Sequence, residues 1–188
     1  TYLIILTAAN MGAIFAASWD LLVGRCGQMN LGHALFFGTG AYITALLNFH
    51  LGWPIGVTIP LAVLTTVAIA VIVGFPAIRV KGPYLALVTM ALPLIATGIV
   101  FYFKDYTGGE RPLSGLDQFF PFLPYQQWFI AQYYFTLLLL VVSGIIMYKI
   151  ANSHKIGVIF VSILDDELSS KASGINTTKY KLMAFALS

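Results

Sequence analysis

The chain has 188 residues, 59% of them hydrophobic and only 9% charged, with a mean hydropathy of +0.88. A soluble domain carries roughly 25% charged residues, so this composition excludes a soluble globular protein and points to the lipid bilayer. The formal charge of +3 does not indicate nucleic acid, because Lys and Arg are spread between apolar stretches, where they read as topology determinants.

Residues 1–19 are uncharged, and a first membrane span is expected at about 2–22, since a bilayer core needs about 20 consecutive mostly apolar residues. It does not read as a signal peptide, because a basic n-region is missing from it and Asn10 interrupts it. Asp20, beside Trp19, reads as an interfacial carboxylate paired with Arg25. Cys26 is the single cysteine, which excludes an internal disulfide framework and a cysteine-based zinc site; a small buried packing residue is expected.

No charge occurs between Arg25 and Arg79, which leaves room for two spans and a turn. The second span is placed at about 30–48. Gln28, Asn30 and His33 lie at its start, and polar groups at membrane depth face a bundle interior or a water-filled cavity. His33 reads as a structural histidine, with substrate binding or proton transfer as the alternative. Gly32, Ala34, Gly38, Gly40, Ala41 and Ala45 make this span rich in small residues, with Ala34/Gly38 and Ala41/Ala45 at small-xxx-small spacing. That pattern supports close helix packing in lipid or the lining of a conduit.

Gly52-Trp53-Pro54 form a turn into a third span at about 55–77, which contains Pro60. Arg79-Val80-Lys81-Gly82-Pro83 make a tight basic loop, and a fourth span follows at about 84–103. Residues 104–131 read as a longer loop. Its Gly and Pro residues mark turns. Its aromatic residues Phe119, Phe120, Phe122, Tyr125 and Trp128 suit a membrane interface or an extracytoplasmic partner. A fifth span is placed at about 132–148, a polar segment at 149–181, and the start of a sixth at about 182. Within the polar segment a short helix is expected from about Ile163 to Ala172. It begins with Asp165-Asp166-Glu167, which complement the helix dipole, and ends at Gly174. Asn176-Thr177-Thr178 then cap the next helix.

The fold class is therefore all-α: a polytopic transmembrane helical bundle of about six spans. Residues 1–188 form one transmembrane domain. No initiator Met is present and Ser188 follows an apolar run, so a fragment truncated at both ends is expected. With the 23–29, 79–83 and 149–181 loops on the cytoplasmic side, eight of the ten Lys and Arg residues lie inside, and only Lys104 and Arg111 outside. That asymmetry sets the orientation.

Familiar catalytic signatures are missing: no G-x-x-x-x-G-K-[ST] phosphate loop, no H-E-x-x-H, no G-x-S-x-G and no C-x-x-C. The acidic run 165–167 reads as a solvated helix start rather than a metal or acid/base site. No catalytic residue, metal ligand or cofactor is expected in this chain.

Four blocks carry a family resemblance. The run Gly27-Gln28-Met29-Asn30-Leu31-Gly32-His33-Ala34-Leu35-Phe36-Phe37-Gly38-Thr39-Gly40-Ala41-Tyr42 resembles the "GQ-x-SLGHA-x-FFG-x-GAY" pattern of M-type permease subunits of branched-chain amino acid ABC importers. The same holds for Lys81-Gly82-Pro83-Tyr84-Leu85-Ala86-Leu87-Val88-Thr89. It holds for Thr107-Gly108-Gly109 with Leu113-Ser114-Gly115, and for Asp165-Asp166-Glu167 through Gly174 to Lys181. The blocks occur in the family's order and span nearly the whole chain.

The resemblance implies a passive conduit in a bacterial or archaeal cytoplasmic (inner) membrane. Its implied partners are a second homologous permease subunit, two cytoplasmic ATP-binding subunits and an extracytoplasmic solute-binding protein facing the 104–131 loop. Asp165, Asp166, Glu167, Ala172 and Gly174 would belong to the segment coupling it to the ATPase. Gln28, Asn30, Gly32, His33, Gly38 and Gly40 are candidates for helix packing or the pathway. Four features depart from the family pattern, one being that the Glu-to-Gly spacing of the broader coupling motif is not met from Glu167. Asn30 stands where Ser is commoner, and Ser169-Ser170 replace an Ala pair. Met90-Ala91-Leu92-Pro93-Leu94 replaces the commoner "LGFGEI", so that Pro93 frees a backbone carbonyl in mid-span. Urea or short amides are alternative cargoes. A secondary transporter or channel would need paired intramembrane charges or broken helices, against which the uncharged spans argue.

Overall fold

The computed structural model describes residues 2–188 apart from Lys81, Glu110, Pro112, Ser114, Gln118 and Pro121 and the side chains of Pro83, Tyr125 and Gln126. Lys81 of the expected basic loop, and Glu110, Pro112 and Ser114 of the expected turns, lie outside the described residues. Every regular element described is helical: α1 Tyr2–Val23, α2 His33–Leu51, α3 Ile55–Ala77, α4 Pro83–Tyr102, α5 Lys104–Thr107, α6 Tyr125–Ala151, α7 Ile156–Asp165, α8 Glu167–Ala172 and α9 Thr177–Leu187.

Five of these, α1, α2, α3, α4 and α6, are long and apolar enough to cross a membrane. A helix satisfies its own backbone hydrogen bonds, which hydrocarbon demands. Large apolar side chains stand on their outer faces, such as Leu94 at 72% exposure and Ile72 at 70%. Water would penalise such faces, whereas acyl chains cover them. The chain is a multi-pass membrane protein.

Two compact units make up the fold, Thr1–Gln28 with Phe122–Ser188, and Met29–Pro121. In the first, α1 packs along α6, α7 packs on α6, and α9 meets both α1 and α7. Asn10, the polar interruption of α1, donates from Nδ2 to Thr136 Oγ1 of α6 at 3.3 Å. In the second, α2 packs along α3, and α4 packs against both. Gly40 faces α3, where a Cβ would sit 3.5 Å from Thr66 Oγ1, whereas a Cβ on Gly38 would meet nothing within 4 Å.

Several boundaries differ from the sequence expectation. α2 begins at His33, not at residue 30: Gly32 is its N-cap and takes the Leu35 N–H on its carbonyl at 2.9 Å, while the Leu31 and Gly32 N–H groups bond to side-chain oxygens. α6 begins at Tyr125, seven residues ahead of the expected 132; the extended Pro124 is its N-cap, and Gln and aromatic residues had made that first part look like loop. The expected 163–172 helix is two helices, because Asp166 is extended (φ −154°, ψ 107°). The sixth expected span corresponds to α9, whose 11 described residues start at Thr177 rather than at about 182. Among the described residues no ion pair joins Asp20 to Arg25. The Asp20 carbonyl instead accepts the N–H groups of Gly24 and Arg25 at 2.7 and 3.2 Å.

Asn48 secures the loop that follows α5. Its Nδ2 donates to Trp53 O (2.8 Å) and Asp117 Oδ2 (2.9 Å), and its Oδ1 accepts from the Asp117 N–H (2.9 Å). Its carbonyl also accepts the N–H of Gly52, whose φ of 64° closes α2. Net values near 1 kcal/mol per bond predict that Asn48→Ala lowers apparent stability by about 1–3 kcal/mol. Limited proteolysis should then cut the 108–120 loop faster than in the parent protein.

Candidate functional site

The first cluster is built on α7, α8 and α9. A tight return at Gly157, where a Cβ would collide with the Ala151 carbonyl, leads from α6 into α7. Gly157, Phe160 and Ile163 are the buried face of α7, at the three-residue spacing of one helix side. Asp166 caps α8 through Leu168 N–H→Asp166 Oδ1 at 2.8 Å. The Ser169 hydroxyl, with the Leu168 and Ser169 N–H groups, holds the Asp166 carboxyl below the ordinary carboxylate range.

Six residues cannot hold a helix by themselves, and α8 is fastened on both sides. Ser170 Oγ donates to Ser162 O of α7 at 2.8 Å and lies 2.9 Å from Ser162 Oγ. An Ala at 170 would make neither bond. On the other side, Glu167 Oε2 meets Lys181 Nζ of α9 at 2.7 Å, while Oε1 meets Lys171 Nζ at 2.8 Å. Thr177 Oγ1 approaches Oε1 at 3.4 Å. Burial pushes the Glu167 carboxyl up, but the hydrogen bonds and charges of Lys171 and Lys181 outweigh it and hold it at about 2. Asn176 caps α9 by accepting the Lys179 N–H at 3.0 Å, and Gly174 (φ 83°) follows the end of α8, as the sequence pattern indicated.

Asp165, Asp166, Ala172 and Gly174 are exposed and Glu167 is half-buried. Gly27 abuts α7, with a Cβ position 2.8 Å from Leu164 Cδ1. Cys26 is fully buried, as expected of a packing residue. Burial lifts its thiol to about 11 against the lowering pull of Lys181, with Glu167 raising it further. An open cleft of ≈ 490 Å³ lies alongside, lined in part by Arg25, His154, Val158, Ser162 and Asp165.

The second feature is the non-helical stretch between α1 and α2. Cys26, Gln28 and Asn30 are buried while Gly27, Met29 and Leu31 are exposed; Gly27 is left-handed (φ 68°), and its N–H and that of Gln28 bond back to the Val23 and Leu22 carbonyls at the end of α1. Gln28 Oε1 is buried without a partner among the described residues. The segment is sewn to α4 at Thr89, whose Oγ1 accepts the Leu31 N–H at 3.0 Å and donates to Leu85 O at 2.9 Å. Asn30 Oδ1 accepts the Gly32 N–H at 2.8 Å. Pro93 has no N–H for the carbonyl four residues earlier, that of Thr89. Gly32 presses against that carbonyl, and a Cβ there would run into its oxygen. His33 is buried and edge-on to Phe36 at 6.2 Å.

Among the described residues no group of three or more His, Cys, Asp or Glu is placed to hold a metal ion. Sequence reasoning missed Thr89, Ser162 and Lys181. Thr89 was within reach, since counting four residues back from Pro93 identifies the freed carbonyl. Nothing in periodicity pairs Glu167 with Lys181 across two turns of chain.

A family model described as "Branched-chain amino acid transport system / permease component" matches residues 1–188. The chain belongs to this permease family. The "High-affinity branched-chain amino acid transport system permease protein LivM" of Salmonella typhimurium (strain LT2) is 28% identical over 208 residues, covering 98% of this chain and 48% of the relative. The protein of that name from Escherichia coli (strain K12) is 28% identical over 207 residues, again with 98% and 48% covered. The permease chain thus spans about half the length of the curated relatives it matches. No solved structure matches it.

The geometry of this permease makes two predictions. Gly32→Ala should cost about 1–3 kcal/mol by overpacking, read as a lower melting midpoint in detergent, whereas Gly38→Ala should be close to neutral. The Glu167 carboxyl falls from 4.5 to about 2 on folding, so its contribution is complete above pH 4.5 and is lost as pH falls through about 2. Acid unfolding of the parent protein and Glu167→Gln should therefore differ by a constant amount from neutrality to pH 4.5 and converge below it.

Proposed function

We propose that this chain forms part of the transmembrane permease subunit of an ATP-binding-cassette importer that moves branched-chain amino acids across a bacterial or archaeal inner membrane. The observation that carries this reading is the family match over the full 1–188, with relatives whose names specify branched-chain amino acid transport. In this reading the subunit performs no covalent chemistry and holds no cofactor. A homologous permease subunit completes the path, two cytoplasmic ATP-binding subunits hydrolyse ATP, and an extracytoplasmic solute-binding protein delivers cargo to the 104–131 side.

The α7–α8 segment is the docking surface for the ATPase. Its support is geometric: a short helix fastened to α7 and α9 leaves Leu168, at 67% exposure, and Asp165, Asp166 and Ala172 open to a partner. Closure of the ATPase pair displaces this segment, and the permease alternates its access. The polar stretch Gln28 to His33 is the candidate pathway element. An unpartnered buried amide oxygen such as Gln28 Oε1 calls for water or solute beside it, and irregular backbone at membrane depth belongs where it lines a cavity. Urea or a short amide is the second cargo reading.

Proteoliposomes containing the full-length subunit, its partner subunits and the purified binding protein test the proposal. ATP-dependent uptake of labelled leucine, isoleucine or valine is the expected result. Uptake of urea or acetamide alone would reassign the cargo, and uptake without ATP would replace the class with secondary transport. Scrambling 165–174 should abolish co-purification of the ATP-binding subunit; an intact complex would remove the coupling assignment.

A further inference from the structure

A buried ion pair is a poor choice where only stability is needed. Apolar residues of similar volume often serve as well or better, while loss of one partner strands a charge. Lys181 has only 7% of its side chain exposed, and Glu167 24%. The Lys181 ammonium therefore depends on Glu167, the first residue of α8. The same carboxylate reaches outward through its other oxygen to Lys171, whose side chain is 45% exposed. One carboxylate thus connects the open surface of α8 to the buried shaft of α9. Beneath it lies Cys26, whose thiol feels both charges, one residue before the Gly27 that touches Leu164.

Building on the coupling role proposed for α8, we propose that Glu167 and Lys181 are positioning residues whose buried ion pair hinges α8 to α9 over Cys26, so that a displacement imposed on the exposed face of α8 is delivered to α9 and to the segment that follows α1. The Ser170–Ser162 bonds keep α8 in step with α7, and the charge pair supplies the connection to α9. The Thr177 hydroxyl of α9 reaches the same carboxylate, at 3.4 Å.

The test uses the full-length subunit in its assembled complex. Glu167→Gln leaves a buried ammonium unpaired and is expected to lower the melting midpoint and the folded yield. The double variant Glu167→Gln/Lys181→Met removes the charge together with its partner and is expected to recover the melting midpoint and the folded yield. If the pair is a hinge, the double variant nonetheless moves about fivefold less leucine per ATP hydrolysed than the parent, the scale on which coupling residues act. Parental transport per ATP in the double variant would overturn the proposal. A second readout needs no cargo: the rate at which a maleimide modifies Cys26, followed on its peptide by mass spectrometry. The buried thiol should react slowly in the parent and several-fold faster in the double variant, and an unchanged rate would overturn the hinge. Absence of ATP-dependent uptake by the parent complex counts against the transport reading alone, and Cys26 modification still decides the hinge.

Discussion

Hydrocarbon offers no partner for a backbone N–H or C=O, so each such group must be satisfied within the chain. The long helices meet this demand internally, and their apolar side chains then face lipid without penalty. The rest of the architecture can be read from the places where the demand is not met by a helix. Between Gly24 and Gly32 the helical ladder stops, and N–H groups turn to the Thr89 hydroxyl and the Asn30 amide oxygen. In α4 the ladder is broken by Pro93, and the carbonyl left over is covered by Gly32. Within the Met29–Pro121 unit, the stretch ahead of α2 and the proline-broken turn of α4 thus meet at Thr89.

The other unit solves a different problem, that of anchoring a helix of six residues. Propensity cannot do it, since the first hydrogen-bonded turn is costly to nucleate. Side chains do it instead: an aspartate cap, a serine pair to α7 and a shared carboxylate to α9. The low value of that carboxylate, about 2, keeps Glu167 ionised across any pH a cell maintains.

Much of this was legible in the sequence. Charge-free runs located α1, α3 and α4 to within one or two residues, because lipid imposes length and composition directly. The Asn176 cap and the Gly174 stop were also readable, since local hydrogen bonding and a positive φ determine them. Lipid constraints say less where an aromatic, Gln-containing stretch starts a helix, as at Tyr125. The break at Asp166 was hidden because a side-chain cap there competes with continued helix in a stretch suited to both. Lys181 looked like one more topology lysine; only the fold shows that its head is buried. The serines at 169 and 170 stood out as departures from a family pattern, but their hydrogen-bond partners could not be named without coordinates.

The alternating burial of Cys26, Gln28 and Asn30 against Gly27, Met29 and Leu31 makes chain length here as constrained as residue identity. Deleting or inserting a single position between Gly27 and Gly32 would carry Gly32 away from the Thr89 carbonyl and set another residue's side chain against it. Variation at this crossing is thus confined to exchange of one side chain for another.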